Sequence, residues 1–161
     1  MLNAFLYISL HGQDMAVLAE DFGAARAHAR KRVYARVLAL QCVEFFDDVP
    51  KLIKDTVHSD AALLGALEGR ALLDATARLR PIRRKYEILL RTIRNASIAH
   101  RDLDAIKQLE SMTAIDVLQF FRLLSEMYAW RTELTKAFLP VLKRMGERLS
   151  AATTRLTVVT K

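Results

Sequence analysis

The sequence predicts an all-α fold, an up-and-down bundle of four or five helices. Three observations carry that reading. Apolar residues recur in steps of three and four over most of the chain, the period of one helix face. Only 5 Gly and 3 Pro interrupt 161 residues, too few for an all-β chain with a turn about every ten residues. Hydrophobic residues make up 52% and charged residues 27%, enough apolar material for the core of one domain and too much for a disordered chain.

The elements follow in order. Over 14–47 the apolar set Met15, Leu18, Phe22, Ala25, Ala29, Val33, Val37, Leu40 and Val43 reads as one face of a single long helix. Pro50 is expected to stop it, because the residue before a proline avoids the helical region, and a short helix follows over 51–57. Ser59 is placed to cap the next helix, with Asp60 in its first turn and Leu64, Leu67, Ala71, Leu72, Ala75 and Leu79 inward. Pro81 ends or kinks it. The segment 82–101 carries one seam, Ile82, Tyr86, Leu89, Ile93, Ala96 and His100, and a second, mostly basic stripe through Arg84, Arg91, Arg94 and Arg101. Thr113 and Asp116 read as a capping box for the last helix. Val117, Phe120, Leu124, Met127, Leu134, Phe138, Val141 and Met145 form its buried face, with a kink at Pro140. The bundle is assigned to 1–149. The polar tail 150–161 is expected to fray or to add a short strand.

Several classes of protein are excluded or disfavoured. No apolar run reaches the roughly 20 residues that span a bilayer, so no membrane partner is expected. Residues 2–10 are apolar but lack the preceding basic residues and the cleavage site of a secretory leader, and are expected to pack on the body or across a subunit interface. The single cysteine, Cys42, forms no intramolecular disulfide or multi-cysteine metal site and suits a reducing cytoplasm. His11, His28, His58 and His100 show no metal-ligand spacing, and there is no glycine-rich phosphate loop. Neither a metal nor another cofactor is expected. The 25 basic against 18 acidic residues favour an acidic partner, nucleic acid first. That excess concentrates in Arg78, Arg80, Arg83, Arg84, Lys85, Arg91, Arg94 and Arg101, with only Glu87 against them in that window.

The stretch Arg94-Asn95-Ala96-Ser97-Ile98-Ala99-His100-Arg101-Asp102 resembles the signature of the HEPN (higher eukaryotes and prokaryotes nucleotide-binding) superfamily, an arginine and polar residue followed by a histidine. Its wording is most similar to the abortive-infection U type. The resemblance implies a HEPN-like bundle, metal-independent RNA cleavage to a 2′,3′-cyclic phosphate, and a role in phage defence or a toxin system. It implies acid–base chemistry at His100, phosphate binding at Arg94, and orientation of either by Asn95, with Arg84, Arg91 and Arg101 docking RNA. These residue types suit that work: imidazole exchanges protons near neutrality, and guanidinium pairs with phosphate oxygens in a fixed fork.

On one straight helix, six residues rotate by about 600°, leaving Arg94 and His100 ~120° apart and ~9 Å apart along the axis. Either the helix changes conformation before His100 or two copies share a composite cleft. HEPN proteins commonly do the latter, so a homodimer is expected. Asp102 stands where some HEPN toxins carry a tyrosine that a partner modifies, so an antitoxin or defence partner acting by that route is not implied. A second reading keeps the module without the catalysis: a silent HEPN-like bundle that dimerises or binds a nucleotide or partner.

Overall fold

In a computed structural model, residues 1–61, 64–98 and 116–159 are described, with the side chains of 94–98 and 152–159 left aside. Among them are six helical segments: α1 (Leu2–Ala24), α2 (His28–Ser59), α3 (Ala66–Ala77), α4 (Leu79–Lys85), α5 (Glu87–Ile98) and α6 (Val117–Val159). Among the described residues there is no strand. The proposed capping residue Thr113 lies outside them.

These segments form four rods. Phe5 meets Phe138 and Phe22 meets Phe120, with ring centroids 5.6 and 5.7 Å apart, so α1 and α6 are antiparallel. Tyr7 donates to Asp48 at 3.3 Å and His11 Nε2 to the Gln41 carbonyl at 3.0 Å, so α1 and α2 are antiparallel as well. The third rod, α3–α4–α5, runs against both α2 and α6. Arg83 bridges to Asp47 at 2.7 Å on one side, and Trp130 Nε1 donates to the Ala75 carbonyl at 2.7 Å on the other. The result is an up-and-down bundle. Its core is Phe22, Leu38, Phe45, Leu72, Ile93, Phe120, Leu134 and their neighbours, all essentially sealed from solvent.

Several sequence expectations are corrected. The helix expected over 14–47 is broken at residues 25–27, where Ala25 and Ala27 are extended, with ψ of 119° and 128°. No proline marks this turn. It forms because folding α1 back on α2 buries both faces at once. The turn also resets the helical phase: Ala35, Leu38, Ala39 and Cys42 are buried, whereas Val33, Val37 and Leu40 face out. Pro50 sits inside α2 rather than ending it. A proline there forfeits one helical hydrogen bond, and the buried Val49 and Ile53 hold the helix on both sides of it. Residues 51–57 are therefore the continuation of α2. Ser59 closes α2, its hydroxyl donating back to the Thr56 carbonyl at 3.3 Å. Gly65 instead starts α3, its N–H donating to Glu68 Oε2 at 2.9 Å.

The expected helix over 82–101 is likewise two segments, joined at Tyr86. Asp116 caps α6 by accepting from the Gln119 N–H at 3.0 Å. The tail is helical as far as the described residues go, α6 running through Pro140 to Val159.

Candidate functional site

The motif begins on α5. Leu89, Leu90 and Ile93 are buried, and they fix α5 against the rest of the bundle. Arg94 and Asn95 directly follow this anchor in the last turns of α5. His100 and Arg101 lie outside the described residues, as does Asp102. The structure thus brings Arg94 and Asn95 to one helix end and does not relate them to His100. Arg84 and Arg91 are both exposed, but the turn at Tyr86 separates them onto different segments.

The joint between α4 and α5 sets the direction of α5. There Tyr86 packs its ring into the core while its hydroxyl donates to Glu126 Oε1 at 2.8 Å. Lys85 donates to the same carboxylate oxygen. The hydrogen bond from the Lys85 ammonium holds the Glu126 carboxyl below its ordinary range; burial opposes this, and the Tyr86 hydroxyl adds a smaller lowering. Burial, followed by the bond to Glu126, pushes the Tyr86 phenol up.

Charge along the third rod is less free than the sequence window implied. Arg83 pairs with Asp47 of α2, Lys85 with Glu126 of α6, and Arg91 with Glu87 at 2.9 Å. Arg80 and Arg84 are exposed and make no ion pair among the described residues. Sequence reasoning centred on 78–101 missed Lys51 and Lys54. These exposed α2 residues line the same cavity as Arg80 and Arg83. Their three-residue spacing on the expected helix over 51–57 was the available signal, but nothing in the window 78–101 placed that helix beside it.

Other candidates resolve into structural roles. Trp130 is buried and bonded to Ala75, so it offers no face for a base. Tyr34 and Tyr128 are half-buried against the core. The Cys42 thiol is fully buried and pushed up to about 12 by that burial, which leaves it without nucleophilic thiolate near neutrality. His11 is a bonded interior histidine. Among the described residues no group of three or more His, Cys, Asp or Glu side chains could hold a metal ion, and no helix is long and apolar enough to cross a membrane.

No family model matches the chain, and neither the curated proteins nor the solved structures contain a match to it.

Proposed function

We propose that this protein is a metal-independent endoribonuclease of the HEPN type, acting as a homodimer in phage defence or a toxin system. The observation that carries the reading is the pattern Arg94-Asn95 followed after four residues by His100. It is supported by an all-helical bundle and by the position of Arg94 and Asn95 at the end of a helix preceding the last long one. In this account His100 takes the proton from the 2′-hydroxyl or gives one to the leaving oxygen. Arg94 offsets charge on the scissile phosphate, and Asn95 orients one of them. Arg84, Arg91 and Arg101 hold the flanking RNA. Two copies complete one cleft, since a straight helix cannot bring Arg94 and His100 together.

The test is cleavage of RNA in excess EDTA by the wild type, His100→Ala and Arg94→Ala. Loss of the imidazole costs at least ~10²-fold in rate, the low end for general acid–base catalysis. Arg94→Ala costs a comparable factor, and Arg94→Lys recovers only part because the fork is gone. Undiminished cleavage by His100→Ala would remove the reading.

A second reading, a catalytically silent HEPN-like module that binds a partner, draws on one observation. Leu2, Leu6, Leu10 and Val17 form an outward row on α1, each at least 45% exposed. Light scattering and the same cleavage assay separate the two: a silent module dimerises without cutting.

A further inference from the structure

Between the C-terminal half of α2 and the α3–α4 stretch, the bundle surface opens into an elongated groove. It consists of two cavities of about 370 and 520 Å³ that share Lys54 and Leu73 in their linings. Phe46, Pro50 and Leu79 give it an apolar floor. The walls are cationic: Lys51 and Lys54 come from α2, Arg80 and Arg83 from α4.

We propose that this groove seats the phosphate backbone of a single-stranded nucleic acid. Four features carry the proposal. First, the cations are spread along the groove rather than focused on one point. The Asp47–Arg83 bridge sets the antiparallel register, which puts Arg80 across from Lys51. Lys54 follows three residues later, a step of ~4.5 Å along the α2 axis, and the His58 ring, not counted among the cations, lies ~6 Å further on. That stepping is comparable with neighbouring phosphates in an extended strand. Second, Lys51, Lys54 and Arg80 engage no ion pair among the described residues, so a phosphate displaces no internal partner. Third, the two carboxylates on the groove do not cancel this charge. Asp47 is taken by Arg83, and Asp55 lies at the His58 end, which restricts the strongest anion binding to Lys51, Lys54 and Arg80. Fourth, Pro50 and the exposed Leu73 offer apolar contact to riboses and base edges along the groove, while Phe46 and Leu79 beneath them are sealed in the core.

The groove does not include Arg94, so it is a docking site beside the proposed cleavage site. In choosing a nucleic acid over other polyanions it rests on the RNA reading above.

The experiment is fluorescence anisotropy with the full chain and a short labelled 2′-O-methyl RNA, which lacks the attacking hydroxyl and is bound without being cut. Neutralising three phosphates predicts a loss of affinity of roughly 20-fold between 50 and 200 mM salt, from the single-strand slope of about −0.7 per phosphate. Lys51→Glu/Lys54→Glu and Arg80→Glu are each expected to weaken binding at least ~10-fold. The double variant should also flatten the salt slope by about 1.4. Lys51→Gln/Lys54→Gln, a milder change, should flatten the slope by the same amount. Lys143→Glu/Arg148→Glu, an equal charge reversal on exposed residues of α6, should bind like the wild type. Unchanged binding in the groove variants would overturn the proposal. So would an equal loss in the α6 control, which marks long-range attraction alone, or equal competition by polyglutamate, which marks an acidic-peptide site.

The cleavage assay keeps the two readings apart. A wild type that binds through the groove and never cuts leaves the groove standing and removes the nuclease. His100-dependent cutting with KM unmoved in Lys51→Glu/Lys54→Glu does the reverse.

Discussion

Tyr86 donates a hydrogen bond from its hydroxyl to Glu126, 40 residues away in sequence, at 2.8 Å. This contact sits at the joint where α4 gives way to α5. It ties the rod carrying Arg94 to the last helix, so the placement of the motif depends on a pair that neither helix specifies alone. Removing the hydroxyl with Tyr86→Phe is expected to cost about 1 kcal/mol. That is modest for a bond to a charged group, because Glu126 is still partly open to water and keeps Lys85. Denaturant unfolding measures it.

The same carboxylate gives a pH signature. The Glu126 carboxyl is held low by the Lys85 hydrogen bond first, so its contribution is present above the ordinary glutamate range and fades as pH falls through its depressed value. Lys85 is raised, chiefly by its bond to Glu126. Its contribution is present below the ordinary lysine value and fades as pH climbs through the raised one. The Tm advantage of wild type over Glu126→Gln should therefore form a plateau between about pH 5 and 10 and narrow at both ends. An advantage that does not vary with pH would contradict the pairing.

Two glycines in helices should respond differently to alanine. Nothing lies within 4 Å of a Cβ built on Gly146 in α6, whereas one on Gly12 in α1 falls 2.2 Å from Arg131 Nη1 and 2.8 Å from its Cδ. Gly146→Ala should stabilise by roughly 0.5–1 kcal/mol through helix propensity. Gly12→Ala should forfeit that gain, because the α1–α6 approach must open or Arg131 must leave its seat. Paired thermal melts read the sign of each.

Trp130 fills the core edge-on to Phe45, with centroids 5.5 Å apart, and its indole N–H satisfies the Ala75 carbonyl near the end of α3. Helix-end carbonyls need such partners. Trp130→Phe should cost about 1–3 kcal/mol, from the weakened satisfaction of a buried acceptor together with lost volume. Equilibrium unfolding checks it.

Local pattern made much of the bundle legible and left its joints hidden. In α6 six of the residues read as inward, Phe120, Leu124, Met127, Leu134, Phe138 and Val141, are buried, because one uninterrupted helix keeps its phase, whereas Val117 at the first turn is exposed and Met145 only half-buried. In α2 the inward set was misread through Val33, Val37 and Leu40. The turn at 25–27 carries no proline, and burial of both hairpin faces decided it. Pro50 misled in the opposite sense, since packing at Val49 and Ile53 outweighed its local preference. Asp47 and Glu126, which partner Arg83 and Lys85, belong to other rods, so no window of sequence around 78–101 could reveal them. Lys51 and Lys54 were obscured for the same reason. The motif itself was legible only as Arg94, Asn95 and His100 in line, and His100 lies outside the described residues.

The most direct test of the central claim is the chemistry of the ends left on RNA. Purified wild type and His100→Ala are incubated with a defined RNA in excess EDTA, and the product termini are identified by mass spectrometry. Wild type is expected to leave 2′,3′-cyclic phosphate and 5′-hydroxyl ends, and His100→Ala to yield them at least ~10²-fold less. Products ending in 3′-hydroxyl and 5′-phosphate, or cyclic-phosphate ends formed equally by His100→Ala, would contradict the claim.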